Sequence, residues 1–197
     1  APAFGADPGT PTTKVITVNG KQLETLNRGV VSVRSGSGNL VSWRLLATDV
    51  AGTSFNVYRA GTKVTASPVT ATTNYLDAGG AAGASYTVRA VVNGTEQADS
   101  PTSLNLANGY LDVPIQPPAG GTVGGAAYTY SANDASVGDL DGDGQYEIVL
   151  KWDPSNAKDN SQSGYTGNVY VDAYKLNGTR LWRIDLGRNI RAGAHYT

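Results

Sequence analysis

This sequence predicts an all-β protein, and three observations carry that expectation. Val, Thr and Tyr recur throughout, and these residues fit pleated, half-buried surfaces. Short runs alternate apolar and polar side chains with a period of two, as in strands that bury one face and wet the other. Gly, at 25 of 197 residues, punctuates the runs where turns need it.

Composition narrows the function classes. Hydrophobic residues make up 40% of the chain, enough for a core, and charged residues only 16%. The formal net charge is −1 and no segment is strongly basic, so a nucleic-acid partner is not expected. No apolar run approaches the length of a membrane span, so no membrane partner is expected either. The absence of Cys excludes disulfides and thiolate metal sites but leaves secretion open. The start Ala1-Pro2-Ala3-Phe4 suits a mature end left by signal cleavage, and an arbitrary boundary equally well. Residues 1–13, rich in Pro, Gly and Thr, read as a flexible lead-in.

A first domain is expected over 14–111. Leu40 to Leu45 places Val41, Trp43 and Leu45 on one face, and Phe55 to Arg59 alternates likewise. So does Tyr86 to Val92, which runs into the hairpin pair Asn93-Gly94. Several such strands in under 100 residues suggest a β-sandwich. The run Ser42 to Arg59, with Tyr86 to Arg89, resembles a fibronectin type III module with Trp43 in its core. Pro and Gly cluster at Ile115 to Gly121, so a linker without regular strands is expected over 112–127.

The segment 128–197 has a different character. A strand, a Gly/Asp loop and the apolar run Glu147 to Trp152 are followed by Val169 to Lys175, the turn Asn177-Gly178 and Leu181 to Leu186. Strands joined by tight turns over this length have the size of one β-propeller blade. A single blade cannot bury both faces. The remaining blades are therefore expected in a longer chain or on a second polypeptide.

The strongest motif is Asp139-Leu140-Asp141-Gly142-Asp143-Gly144-Gln145-Tyr146-Glu147. Three carboxylates at alternate positions, a Gly for the bend and an early Glu suit Ca2+, which takes hard oxygen ligands. Asp139, Asp141, Asp143, Glu147 and the backbone carbonyl of Gln145 are the candidate ligands. An EF-hand would close later and lie between helices. The competing reading is an acidic, Gly-rich turn without metal, in which the three Asp side chains would repel one another.

One long stretch carries a family resemblance. Tyr130 to Gly144 runs into Glu147-Ile148-Val149-Leu150-Lys151-Trp152-Asp153-Pro154-Ser155-Asn156, then Lys158 to Gly167, Asp172-Ala173-Tyr174, and Leu181 to Thr197. This resembles the bacterial rhamnogalacturonan lyases of polysaccharide lyase family 11. Leu26 to Val31 and Ser42 to Leu46 resemble that family's N-terminal β-domain. The resemblance implies a secreted enzyme with an N-terminal β-domain and an eight-bladed propeller holding several Ca2+ ions. It implies cleavage of the pectic backbone of alternating rhamnose and galacturonate by β-elimination.

Elimination removes the weakly acidic proton at C5 of galacturonate, so a base must reach it and a cation must neutralise the adjacent carboxylate. By resemblance, Asn133 and Asp153 fall at positions lining the substrate cleft. Asn133 can donate and accept hydrogen bonds to hydroxyls, and Asp153 can accept them. Asp153-Pro154 could equally cap a turn. Arg191 and Lys151 are candidates to face a uronate carboxylate, although Lys151 also fits a solvated strand face. His195, the only His, is a candidate cleft residue. The base itself is expected beyond Thr197. Tyr165, Tyr170, Tyr174 and Trp182 could stack on sugars, but aromatics in strands are more often core. Asn93-Gly94-Thr95 and Asn177-Gly178-Thr179 fit N-glycosylation, but turn chemistry explains both. The competing function is a non-catalytic, calcium-stabilised carbohydrate-binding or adhesion module.

Overall fold

A computed structural model describes residues 15–159, 161–187, 190, 192 and 193. Every regular element among them is a strand. The chain divides into two compact units, Ala1–Asp112 with Asp141–Gln145, and Val113–Leu140 with Tyr146–Thr197.

The first unit opens with a hairpin of β1 (Val15–Val18) and β2 (Lys21–Glu24). Its turn, Asn19-Gly20, has both residues in the left-handed region, which matches the twist of a two-residue hairpin. Two four-stranded sheets follow. One comprises β3 (Val31–Ser35), β4 (Gly38–Ser42), β7 (Asn74–Asp77) and β10 (Leu104–Leu106), in the order β10-β3-β4-β7. The other comprises β5 (Ser54–Arg59), β6 (Thr62–Lys63), β8 (Tyr86–Val92) and β9 (Thr95–Asp99), in the order β6-β5-β8-β9. All pairings are antiparallel except β10 with β3.

One core joins both sheets: Val41 from the first, Phe55, Val57, Tyr86, Val88 and Ala90 from the second, with Val30 and Trp43 beside them. Each fully buried aliphatic side chain contributes about 1.5–3 kcal/mol. The alternation of β8 is as expected, and Asn93-Gly94 turns it into β9 with both φ positive. Leu45 departs from expectation. β4 ends at Ser42, so period two no longer governs, and Leu45 is exposed. β5 departs as well, because Asn56 and Tyr58 on its second face are buried too. A polar layer covers them. Asn56 and Tyr58 donate to Glu96 Oε1 at 2.6 and 2.7 Å, and the Arg89 guanidinium lies 4.2 Å above the Tyr58 ring. The Tyr58 hydroxyl is the main reason the Glu96 carboxyl is pulled down to about 2.

The second unit contains strands where none were expected. β11 (Gly121–Val123) and β12 (Ala126–Tyr128) pair around Gly124-Gly125 within the stretch read as a linker. The residues before them are held as well. Gln116 N–H donates to the Tyr174 hydroxyl, and Arg183 donates to the Gln116 carbonyl at 2.5 Å. Gly178 packs so closely on Pro114 that a Cβ there would meet its ring at 2.3 Å.

β13 (Tyr130–Gly138), β14 (Glu147–Pro154), β15 (Tyr170–Tyr174) and β16 (Arg180–Asp185) form an antiparallel meander in chain order. Leu150, Trp152 and Tyr174 make its core, with Tyr130, Ile148 and Tyr170 packed against them. At its centre Asp172 is fully buried. The Trp152 indole N–H and Tyr174 hydroxyl donate to its Oδ2 at 2.7 and 2.6 Å, and Arg183 adds bonds to both oxygens at 2.7 and 2.6 Å.

The two buried tryptophans make a comparison. Trp43 Nε1 is buried without a hydrogen-bond partner, whereas Trp152 Nε1 serves Asp172. Phe at position 43 removes an unsatisfied donor, while Phe at 152 deprives a buried carboxylate of one. We expect W152F to lower stability by about 1–3 kcal/mol more than W43F in denaturant melts. Equal losses would contradict this.

Candidate functional site

The acidic loop lies between β13 and β14, and the sheet fixes its two ends. It draws Asp139, Asp141 and Glu147 into one group, with a carboxylate oxygen of each within 4.8 Å of the others. Asp139 and Glu147 are buried and Asp141 is half-buried. Local hydrogen bonds shape the loop: Glu147 Oε2 accepts from Leu140 N–H at 2.8 Å, and Asp141 Oδ1 from Asp143 N–H at 3.3 Å. Gly142 and Gly144 both take positive φ, which the bends require. Asp143 is not in the group. It is exposed, and its Oδ1 accepts the N–H of Gln145 at 2.8 Å. A hard-oxygen cluster of three carboxylates on a tight loop fits a divalent cation.

A second site lies on the opposite end of β14. β13 breaks register between Ala132 and Ala135, which leaves Asn133 and Asp134 as the bulge. Bulges re-aim side chains, and here both residues line a cavity of about 370 Å³ with Lys151, Asp153, Lys158 and Asp159. Lys151 and Asp153 are two apart on β14 and so share a face. Lys151 Nζ stands 3.9 Å from Asp153 Oδ1, with its side chain mostly buried. Asp153 is within the strand, opposite Ser131, and is not a turn cap; the turn begins at Pro154, whose carbonyl accepts Ala157 N–H.

The loop after β14 closes the cavity. Lys158 N–H donates to the Ala192 carbonyl at 2.9 Å, and a Cβ at Gly193 would stand 2.6 Å from the Lys158 carbonyl oxygen. Gly167 N–H donates to Asn156 Oδ1 at 2.9 Å. The cavity therefore unites Asn133, Asp153 and Lys151. Arg191 and His195 lie outside the described residues. Asp134 and Lys158, which sequence reasoning did not single out, join the lining. The bulge that presents Asp134 has no sequence mark. Of the aromatic candidates, Tyr174 is buried and Tyr170 packs against the same core, while Tyr165 is 76% exposed.

The acidic loop and the polar cavity thus lie on one four-stranded meander of an all-β chain. Residues 21–105 match the family model "Rhamnogalacturonan I lyases beta-sheet domain", and residues 110–197 match "Rhamnogalacturonan lyase family 11, C-terminal domain". The chain is 65% identical over 178 residues to the rhamnogalacturonan endolyase YesW of Bacillus subtilis, covering 90% of this chain and 28% of that protein. It is 55% identical to the exolyase YesX of the same organism, covering 90% of this chain and 29% of that protein. The solved structure of YesW superposes with a TM-score of 0.85 over 89% of this chain and 30% of that one. The rhamnogalacturonan lyase of Bacillus licheniformis superposes with 0.84 at 65% identity, again over 89% of this chain and 30% of that one. The chain belongs to rhamnogalacturonan lyase family 11. It spans under a third of the length of these relatives.

Proposed function

We propose that this chain is the N-terminal portion of a secreted rhamnogalacturonan lyase that cleaves the rhamnose–galacturonate backbone of pectin by β-elimination. The family membership supports the reaction, and the cavity that gathers Asn133, Lys151 and Asp153 supports a role for this portion in holding the polysaccharide. The first unit, with two sheets on one core, is read as the fibronectin type III-like sandwich. The meander β13 to β16 is read as the first propeller blade, completed by blades elsewhere in the protein.

In the reaction a base takes the C5 proton of galacturonate. The electron pair becomes the C4–C5 double bond, the C4–oxygen bond breaks, and the departing oxygen gains a proton. The residues described here bind and orient. Asn133 and Asp153 offer donor and acceptor groups to sugar hydroxyls. Lys151, with Nζ 3.9 Å from Asp153 Oδ1, places a cation beside that acceptor and is available to a uronate carboxylate. Asp139, Asp141 and Glu147 would hold Ca2+, with Gln145 supplying a carbonyl, and so would fix the β13–β14 loop in one shape.

The experiment is Asp153→Ala in the full-length protein. Losing a charged acceptor that meets substrate is expected to lower kcat/KM on rhamnogalacturonan about 10- to 100-fold. Unchanged kinetics would remove the cavity from the substrate path.

A further inference from the structure

Resting on that reading, we infer that Tyr165 and the depression beside it form a separate sugar subsite, which stacks the uncharged deoxy sugar of the pectic backbone. Tyr165 is 76% exposed, the most of any large hydrophobic side chain described. Yet it does not sit on a loose tip. On one side Gly164, at φ 113°, lies against the Lys158 stem, where a Cβ would stand 3.3 Å from Lys158 Cε. On the other, Gly167 is bonded to Asn156 and packs so closely on the Tyr128 ring that a Cβ would meet it at 2.5 Å. The ring is thus presented from a backbone fixed at both shoulders, so little ordering remains to be done when a ligand arrives.

The space beside the ring suits one occupant. The depression measures about 310 Å³ and lies between Val123 and Gly124 of the β11–β12 hairpin, Tyr165 and Ile190. Its lining is mainly aromatic, aliphatic and glycine, with the Thr166 hydroxyl as a polar group. A pyranose offers a face of C–H groups to an aromatic ring and its hydroxyls to the rim. A 6-deoxy sugar adds a methyl group that Val123 and Ile190 can cover, whereas a uronate would bring a carboxylate against apolar groups. The position fits a polymer as well. Lys158 lines the polar cavity and Gly164 lines the depression, and a Cβ on Gly164 would stand 3.3 Å from Lys158 Cε. The two sites are therefore neighbours, as subsites along a chain are.

The test is affinity electrophoresis of the full-length protein in gels containing rhamnogalacturonan I, comparing wild type, Y165A and Y165F, with homogalacturonan gels alongside. Removing one stacking contact is expected to weaken retention on rhamnogalacturonan I by about 3- to 10-fold in Y165A, while Y165F, which keeps the ring, stays within about twofold. Unchanged retention of Y165A would overturn the subsite and leave the lyase reading intact. An equal weakening on homogalacturonan would overturn the choice of the deoxy sugar. A wild type that rhamnogalacturonan I does not retain would overturn the subsite and the substrate reading together.

Discussion

Replacing Asp172 by Ala is expected to cost the second unit about 3–5 kcal/mol, the loss typical of breaking a buried ion pair by removing one partner. Asp172 is fully buried and receives hydrogen bonds from Trp152, Tyr174 and Arg183. Alanine would leave an indole N–H, a tyrosine hydroxyl and a guanidinium facing a hole. Arg183 could turn toward water, since its side chain is 22% exposed, but Trp152 and Tyr174 could not. Denaturant unfolding followed by tryptophan fluorescence would measure the loss, and a change below about 1 kcal/mol would contradict the account.

Acidity gives an independent check. Burial pushes the Asp172 carboxyl up, but the hydrogen bonds from Arg183, Tyr174 and Trp152 together outweigh it, so its pKa lies below the ordinary 3.8. A carboxyl whose pKa is depressed in the folded state stabilises above its unfolded value and loses that contribution as pH falls through the folded one. The gap in stability between wild type and Asp172→Ala is therefore expected to be constant near neutrality and to narrow only below about pH 4.

Chelation is expected to produce the other large effect. A cation held at Asp139, Asp141 and Glu147 binds the folded state alone, and at 100- to 1,000-fold over its Kd it adds about 2.7–4 kcal/mol. EDTA should then lower Tm by on the order of 10 °C, and added Ca2+ should restore it. Mg2+ should restore less, because it demands a tighter octahedral shell. Asp139→Asn should lower Tm without chelator and make EDTA ineffective. A wild-type Tm indifferent to EDTA would mean that the loop stands without metal. Asp143→Asn should matter less, because Asp143 is turned outward onto Gln145 N–H.

Much of this was legible in the sequence, for identifiable reasons. Tyr86 to Val92 alternates because its strand packs one face on the core, and Asn93-Gly94 supplies the two positive φ values that the hairpin needs. The acidic group of Asp139, Asp141 and Glu147 is legible because its carboxylates are close in sequence and converge within one loop. The misses share a different cause. The β11–β12 hairpin is three residues per strand and rich in Gly, too short to show a period. Leu45 continued a pattern past the point where the strand stopped. The Asn133-Asp134 bulge is a property of pairing with β14, and one strand read alone cannot reveal it. Asp172 sits in an ordinary Val-Asp-Ala-Tyr run, and beyond Tyr174 its partners Trp152 and Arg183 lie 20 residues before it and 11 after it.

The proposed lyase activity on rhamnogalacturonan is tested most directly by counting the two kinds of chain end that one digestion makes. Full-length protein is incubated with rhamnogalacturonan I, and new reducing ends are counted against the ultraviolet absorbance of unsaturated uronate. β-Elimination makes one unsaturated end for each new reducing end, so the two are expected to rise together. New reducing ends without the unsaturated chromophore would mean hydrolysis and would contradict it, as would no cleavage at all.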